Sequence, residues 1–248
     1  MTFCSRSGCF KNVCVSVFSC VHGTGYNFPV ELVTKCKSED SKCAKASALE
    51  FTPKFAAGLP DLGVKTLDPV SYKKIDVSSP NLKLILTDVT VTGLKNCQAK
   101  KIKRDKIKKK LLMKIECSAQ LEGQYDMDGR LLVLSMQGKG PLHVTLRKAE
   151  INVDTDMGEI EKNGETYWDI TSWKHDYSLK DKSDVVFENL FNGNEVLGTD
   201  AAREVIAVSG NDIIMEVGPP VIKTVVDDVI ENVKAFFHKV PSKELSLD

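Results

Sequence analysis

The sequence lacks any stretch approaching the roughly 18 consecutive apolar residues that a helix needs to cross a bilayer, although 42% of its 248 residues are apolar. It also lacks an excess of charge, since basic and acidic residues number 34 each. That balance argues against a partner held by the surface as a whole, nucleic acid above all. No GxSxG, HExxH, P-loop or GxGxxG pattern occurs, so the local arrangements that carry acyl transfer, zinc hydrolysis or nucleotide binding are not written in it. Gly138-Lys139-Gly140 is too short for a phosphate cradle and precedes a strand, and is read as a hairpin turn. The four histidines, His22, His143, His175 and His238, are scattered, without a ligand-type partner at i+4. Asp126 and Asp128 are the best carboxylate pair, but Asp128-Gly129 signals a turn, and calcium needs more oxygen ligands than this segment offers. No Asn-X-Ser/Thr glycosylation acceptor is present. The chain is read as a non-enzyme without metal or cofactor.

The eight cysteines all precede residue 118. Cys4, Cys9, Cys14 and Cys20 crowd the start, separated by four to five residues with no CxxC knuckle, which disfavours zinc. The same segment orders Arg6 and Lys11, the apolar stretch Val13 to Val21, then Gly23 and Thr24. That is the order of a secretory signal, so residues 1–25 are expected to be a leader and 26–248 a single domain. Removing the leader takes away only two basic residues and no acid, so the remainder stays close to neutral. In an exported chain the other four cysteines can form disulfides. Cys36 and Cys43 would close a small ring, worth about 2.5 kcal/mol on the chain-entropy model, or would stand as two thiols beside a helix start.

Ala44 to Ala57 reads as a helix interrupted near Pro53. Gly58, Pro60, Gly63 and Pro69 punctuate a turn-rich stretch. Leu82, Leu84 and Leu86 then alternate with Lys83, Ile85 and Thr87, and β-branched residues continue to Thr92. Ile107–Ile115, Leu131–Gln137 and Leu142–Val153 have the same texture, with Gly129, Gly138, Gly140 and Pro141 at the turns. Long strands joined by short turns indicate a strongly curved antiparallel sheet. After Pro219 and Pro220, apolar residues recur with helical period to Val240, predicting an amphipathic helix about 30 Å long that can lie along the concave face.

From Lys95 to Lys114 there are ten basic residues and one acid, Asp105. Apolar Ile107, Leu111, Met113 and Ile115 alternate with them, and no aromatic residue interleaves to stack bases. A hairpin centred near Arg104 to Lys108 with a solvated basic face explains this segment, and it can add a weak contact with an anionic membrane surface or a receptor. Docking through Lys106, Lys108, Lys109 and Lys110, without cargo, is the alternative function. The hairpin sets Cys97 across from Cys117, either as a cross-strand disulfide or as two free thiols.

Several segments, taken in order, resemble the insect takeout and juvenile hormone-binding protein family. CKSEDSKCAKASALEFTPKFAAGLPDLGVKTLDP looks like its N-terminal motif, and VTVTGLKN (89–96) like a strand ending in Gly-Leu. LEGQYDMDGRLLVLSMQGKGPLHVTL (121–146) is similar to its central hairpin. EKNGETY, FENLFNGNEVLG (187–198) and FFHKVPSKEL (236–245) match later pieces. The usual asparagine-tryptophan pair before the last helix is missing, with Asp212 at that place, and Cys97 and Cys117 are additional. The resemblance implies an elongated α+β fold, a curved antiparallel sheet wrapping a long C-terminal helix around an apolar tunnel. It further implies a Cys36–Cys43 disulfide and a secreted, monomeric carrier of a terpenoid, fatty acid or similar lipid in haemolymph or sensory fluid, with juvenile hormone the best-known cargo type. Lining residues are expected from the last helix (Val225, Val229, Val233, Phe236) and the strands (Leu84, Leu86, Leu132, Leu134), although the same periodicity would serve a solid core. Tyr125 and Tyr167 are candidates to orient a polar head group.

Overall fold

Two long strands form the spine. β4 (Lys110–Leu131) and β5 (Leu134–Lys162) pair antiparallel along their length, from Lys110↔Asp156 to Leu131↔Leu134. The computed structural model describes residues 32–191 and 200–248. The expected leader, Cys4, Cys9, Cys14, Cys20, His22 and the 192–198 part of FENLFNGNEVLG lie outside them.

Each half of the spine carries its own neighbours. On the half nearest the β4–β5 turn, β2 (Leu82–Thr92) pairs with β4 from Leu82↔Gly129 to Thr92↔Gln120, and β1 (Val70–Asp76) pairs with β2. β7 (Asp184–Phe187) pairs with residues 142–145 of β5. On the other half, β3 (Gln98–Asp105) pairs with β4 from Gln98↔Glu116, and β6 (Glu165–Leu179) pairs with β5 from Ala149 onwards. All these pairs are antiparallel, as the texture of the sequence predicts, and the sheet is curved without closing into a barrel.

The inward face follows the period-2 rule. In β2, Leu82, Leu84 and Leu86 are buried, then Val89 and Val91. The parity changes because Asp88 (φ 50) is accommodated in a bulge between Thr87 and Thr90. A second break falls at the middle of the spine, where the β4–β5 register shifts between Cys117 and Ala119. There the Asp68 carboxylate accepts the amides of Gly93 (3.2 Å) and Lys95 (2.9 Å). This joins two of the motifs that carry the family resemblance. Cys97 is disulfide-bonded to Cys117 at the same level.

Helix α1 (Ser41–Ala57) is capped by Asp40, whose carboxylate accepts the Cys43 amide at 2.9 Å, and Cys43 is bonded to Cys36. Contrary to expectation, α1 runs through Pro53. Proline removes one intrahelical donor, but Phe51 (tilted) and Phe55 (edge-on) pack against Phe236 with centroids 5.1 and 6.3 Å away, and that packing holds the last turn. α2 (Asp200–Val208) and α3 (Gly210–Val217) follow β7, and α4 (Pro219–Phe237) is the expected C-terminal helix, opened by its two prolines. Buried Asn232 accepts the Lys65 amide at 2.6 Å, tying α4 to the loop after α1.

The turns around the spine differ from expectation. Asp128-Gly129 and Gly138-Lys139-Gly140 lie inside strands, and the turn is Leu132-Val133, with Leu132 at φ 53 and Val133 73% exposed. The glycines admit close neighbours instead. A Cβ at Gly129 would meet the Asn81 carbonyl oxygen at 2.4 Å, and one at Gly140 that of Glu188 at 2.6 Å.

Candidate functional site

The two halves of the sheet each enclose an apolar cavity beneath α4. The smaller, about 140 Å³, is lined by β2, β4, β5 and β7, by Ile213, Ile214 and Val217 of α3, and by the start of α4. Its lining includes Leu84, Leu86, Leu142, Val144 and Phe187, and among the described residues Gln120 is its one polar side chain. The larger, about 350 Å³, lies under the other half, between β3, the first part of β4, α1 and the C-terminal half of α4. Phe51, Phe55, Ile102, Met113, Val229 and Val233 are among its walls. Leu94, Cys117, Ile151, Val225 and Val226 border both cavities, so the two meet at the level of the Cys97–Cys117 disulfide.

The residue types explain why space is left. α4 places Val221, Val225, Val229 and Val233 on one face at i, i+4 spacing. These four are only half-buried although they face the interior, while Val226, Ile230, Phe236 and Phe237 beside them are buried. Short β-branched side chains here stop short of the opposite sheet. The neighbouring rings form the end wall: Trp168 meets Phe237 edge-on at 5.4 Å.

Of the residues expected to line a ligand site, Leu84 and Leu86 border the smaller cavity, Val225 both, and Val229, Val233 and Phe236 the larger. Leu132, Leu134, Tyr125 and Tyr167 border neither. Leu132 and Leu134 flank the spine turn, because the strand expected at 131–137 is a hairpin end. Tyr125 is buried against Phe187 and donates to the Glu188 carbonyl at 2.7 Å; burial pushes its hydroxyl up to about 12. Tyr167 forms a bridge with Pro241, near the Lys162 ammonium. Reading the sequence did not single out α3, Phe51, Phe55 or Trp168. The alternating Leu111, Met113 and Ile115 were legible as inward positions, and all three line the larger cavity.

Polar groups gather at the far end of the larger cavity. The Ser47 and Thr52 hydroxyls are turned to backbone carbonyls, whereas Lys37, Ser38, Arg104 and Ser246 cluster at the end away from the disulfide. The Arg104 guanidinium lies 4.2 Å from the Trp168 ring centroid and donates to Ser246 Oγ at 2.9 Å. Burial lowers its pKa, while Asp248 and Glu159 act in the opposite direction.

The basic face of the β3–β4 hairpin is met by acids in part. Lys110 reaches Asp154 (2.8 Å) and Asp156 (3.1 Å), Lys114 reaches Glu150 (3.0 Å), and Lys100 reaches Glu116 (3.0 Å). These bonds raise the Lys110 pKa and lower those of Glu116 and Glu150. The turn is different: Ile107 is 95% exposed between Lys106, Lys108 and Lys109. Among the described residues, no group of three or more His, Cys, Asp or Glu is placed to hold a metal ion.

A curved antiparallel sheet lies over a C-terminal helix and encloses an apolar interior, the architecture of a fold that can hold a lipophilic molecule. The chain belongs to the haemolymph juvenile hormone binding protein (JHBP) family, whose model matches residues 13–247. Its structure is similar to that of Takeout 1 from Epiphyas postvittana, with a TM-score of 0.82 and 27% identity, covering 87% of this chain and 100% of that one. The circadian clock-controlled protein daywake of Drosophila melanogaster is 26% identical over 220 residues, 84% of each chain. The juvenile hormone-binding protein of Manduca sexta is 26% identical over 88 residues, 34% of this chain and 38% of that protein.

Proposed function

We propose that the protein is an exported carrier that holds one small lipophilic ligand in the paired cavities under α4. The observation that carries this reading is the apolar interior, continuous in its lining from Leu84 to Phe236 through shared Val225 and Val226. Burying about 400 Å² of an apolar ligand gains roughly 10 kcal/mol gross, against association costs of about 4 kcal/mol or more. Micromolar or tighter binding then needs no charged contact. A relative named for juvenile hormone binding supports a terpenoid, fatty acid or similar lipid as cargo. Two disulfides support an oxidising compartment, in keeping with a leader at 1–25, a single domain at 26–248 and release into haemolymph or sensory fluid. The test is native mass spectrometry of residues 26–248 made through a secretory pathway, followed by solvent extraction. A stoichiometric lipophilic molecule is expected; an empty protein that also refuses terpenoid and fatty-acid probes would overturn the carrier reading.

A second reading rests on the hairpin turn. An exposed isoleucine among three lysines suits the surface of an anionic bilayer, where the lysines meet lipid charge and the apolar side chain enters the interface. This gives the carrier a place to exchange cargo without spanning the bilayer. No described helix is long and apolar enough to cross a membrane.

A further inference from the structure

β3 presents Ala99, Ile102 and Arg104 to the interior, so Arg104 occupies a position where the strand's pattern calls for an apolar side chain. Placing a guanidinium there carries a desolvation cost. Stacking on Trp168 and one hydrogen bond to Ser246 offset part of it. Among the described residues only Nη1 has protein partners: it donates to Ser246 Oγ and stands 3.8 Å from Asp248. Nε and Nη2 donate to none of them, and a guanidinium has five donors in a planar fork suited to a carboxylate.

Position along the cavity gives this group a role. Cys97 marks the junction of the two cavities, and Arg104 lies seven residues further along β3, about 23 Å by strand rise. Between them the wall is Ala99, Ile102, Leu111, Met113, Ile115, Val229 and Val233, all apolar. The larger cavity is thus a largely apolar channel with the half-buried Arg104 guanidinium at its distal end, beside the exposed Lys37. Asp248, 3.8 Å from Nη1, and Glu159 offset part of this charge. The Asp248 carboxylate takes its hydrogen bonds from the Ser38 amide (3.0 Å), the Ser38 hydroxyl (2.7 Å) and the Ser246 hydroxyl (2.8 Å), with Lys106 at 3.9 Å, and not from the guanidinium, so the Nε and Nη2 donors stay without a partner among the described residues.

We propose that Arg104 anchors the carboxylate of a long-chain acid whose tail runs along α4 towards Val225, so that the preferred cargo is a free acid and not its ester or alcohol. This rests on the carrier reading and names the ligand class for the same site. Ser246 Oγ, whose single hydrogen goes to Asp248, positions the guanidinium by accepting from Nη1, and the Trp168 ring packs against it at 4.2 Å.

The experiment compares palmitic acid with methyl palmitate on the full, disulfide-bonded chain at neutral pH, by displacement of a neutral fluorescent lipid. The acid is expected to bind at least tenfold more tightly, the range of a hydrogen bond to a charged group. Arg104→Gln should bring the acid down to the ester's affinity and leave the ester unchanged. Equal binding of acid and ester by the unaltered protein overturns the anchor and leaves the carrier reading standing. So does an Arg104→Gln protein that weakens both alike, which would mark Arg104 as a structural staple of the 246–248 segment. Failure of both probes, and of the neutral lipid itself, to bind overturns the carrier reading along with the anchor. The comparison on unaltered protein decides the matter even if the variant does not fold.

Discussion

Val229 sits at mid-length of α4, lines the larger cavity and is only half-buried, so replacing it asks directly whether the interior is hollow. Val229→Phe adds four carbons. In a close-packed core such an enlargement costs about 1–3 kcal/mol, because neighbours must leave their rotamers. In a hollow of about 350 Å³ the ring enters space that is already there. The transfer gain, about 0.8 kcal/mol per carbon, has an upper bound near ~3 kcal/mol. Lost side-chain freedom takes back about 0.5–1 kcal/mol. A net gain of about 2 kcal/mol corresponds to a Tm rise of roughly 4–8 °C for a chain of this size. The same ring takes space from the cargo, so fatty-acid affinity should fall. Stability and binding therefore move in opposite directions. Calorimetry of delipidated protein, paired with a titration by a fluorescent fatty acid, reads both. A Tm several degrees lower with unchanged binding would refute the hollow interior.

The Cys97–Cys117 disulfide closes a loop of 20 residues, worth about 3 kcal/mol; Cys97→Ser with Cys117→Ser should lower Tm by roughly 6–12 °C and, because Cys117 borders both cavities, weaken cargo binding. The Asp248 carboxylate is held down to about 2, chiefly by the Ser38 hydroxyl. A lowered carboxylate stabilises above its unfolded pKa and ceases to do so as pH falls through the folded one. The clasp between Ser38 and Asp248 should therefore hold to about pH 4 and open towards pH 2, read from the Ser38 amide in an NMR titration. A midpoint at or above the free carboxylate value would contradict it. Changing Lys108 and Lys109 to Glu should weaken salt-sensitive binding to phosphatidylserine vesicles and leave fatty-acid affinity within about twofold. Lys106 is excluded because it stands beside Asp248, and Lys110 because it is held by Asp154 and Asp156.

The sequence by itself determined the class of fold and much of the inner surface. Period-2 alternation in 82–86 and 111–115, and the i, i+4 valines of α4, are local patterns that survive in any context where one face meets an interior. Balanced charge and the order of small motifs did the rest, down to Cys97 lying across from Cys117. What it could not determine depends on contacts distant in sequence. Asp128-Gly129 carries a strong local turn signal, yet the approach of Asn81, some 48 positions away, decides that it is strand. Pro53 is a local helix breaker overruled by Phe236. Arg104 reads as one more charge in a basic run, and only the register of β3 on β4 turns it inward onto Trp168. Whether the valine face of α4 meets packed side chains or empty space is likewise settled by the distance to the opposite sheet. Periodicity fixes which way a side chain points, and tertiary structure alone fixes what it points at.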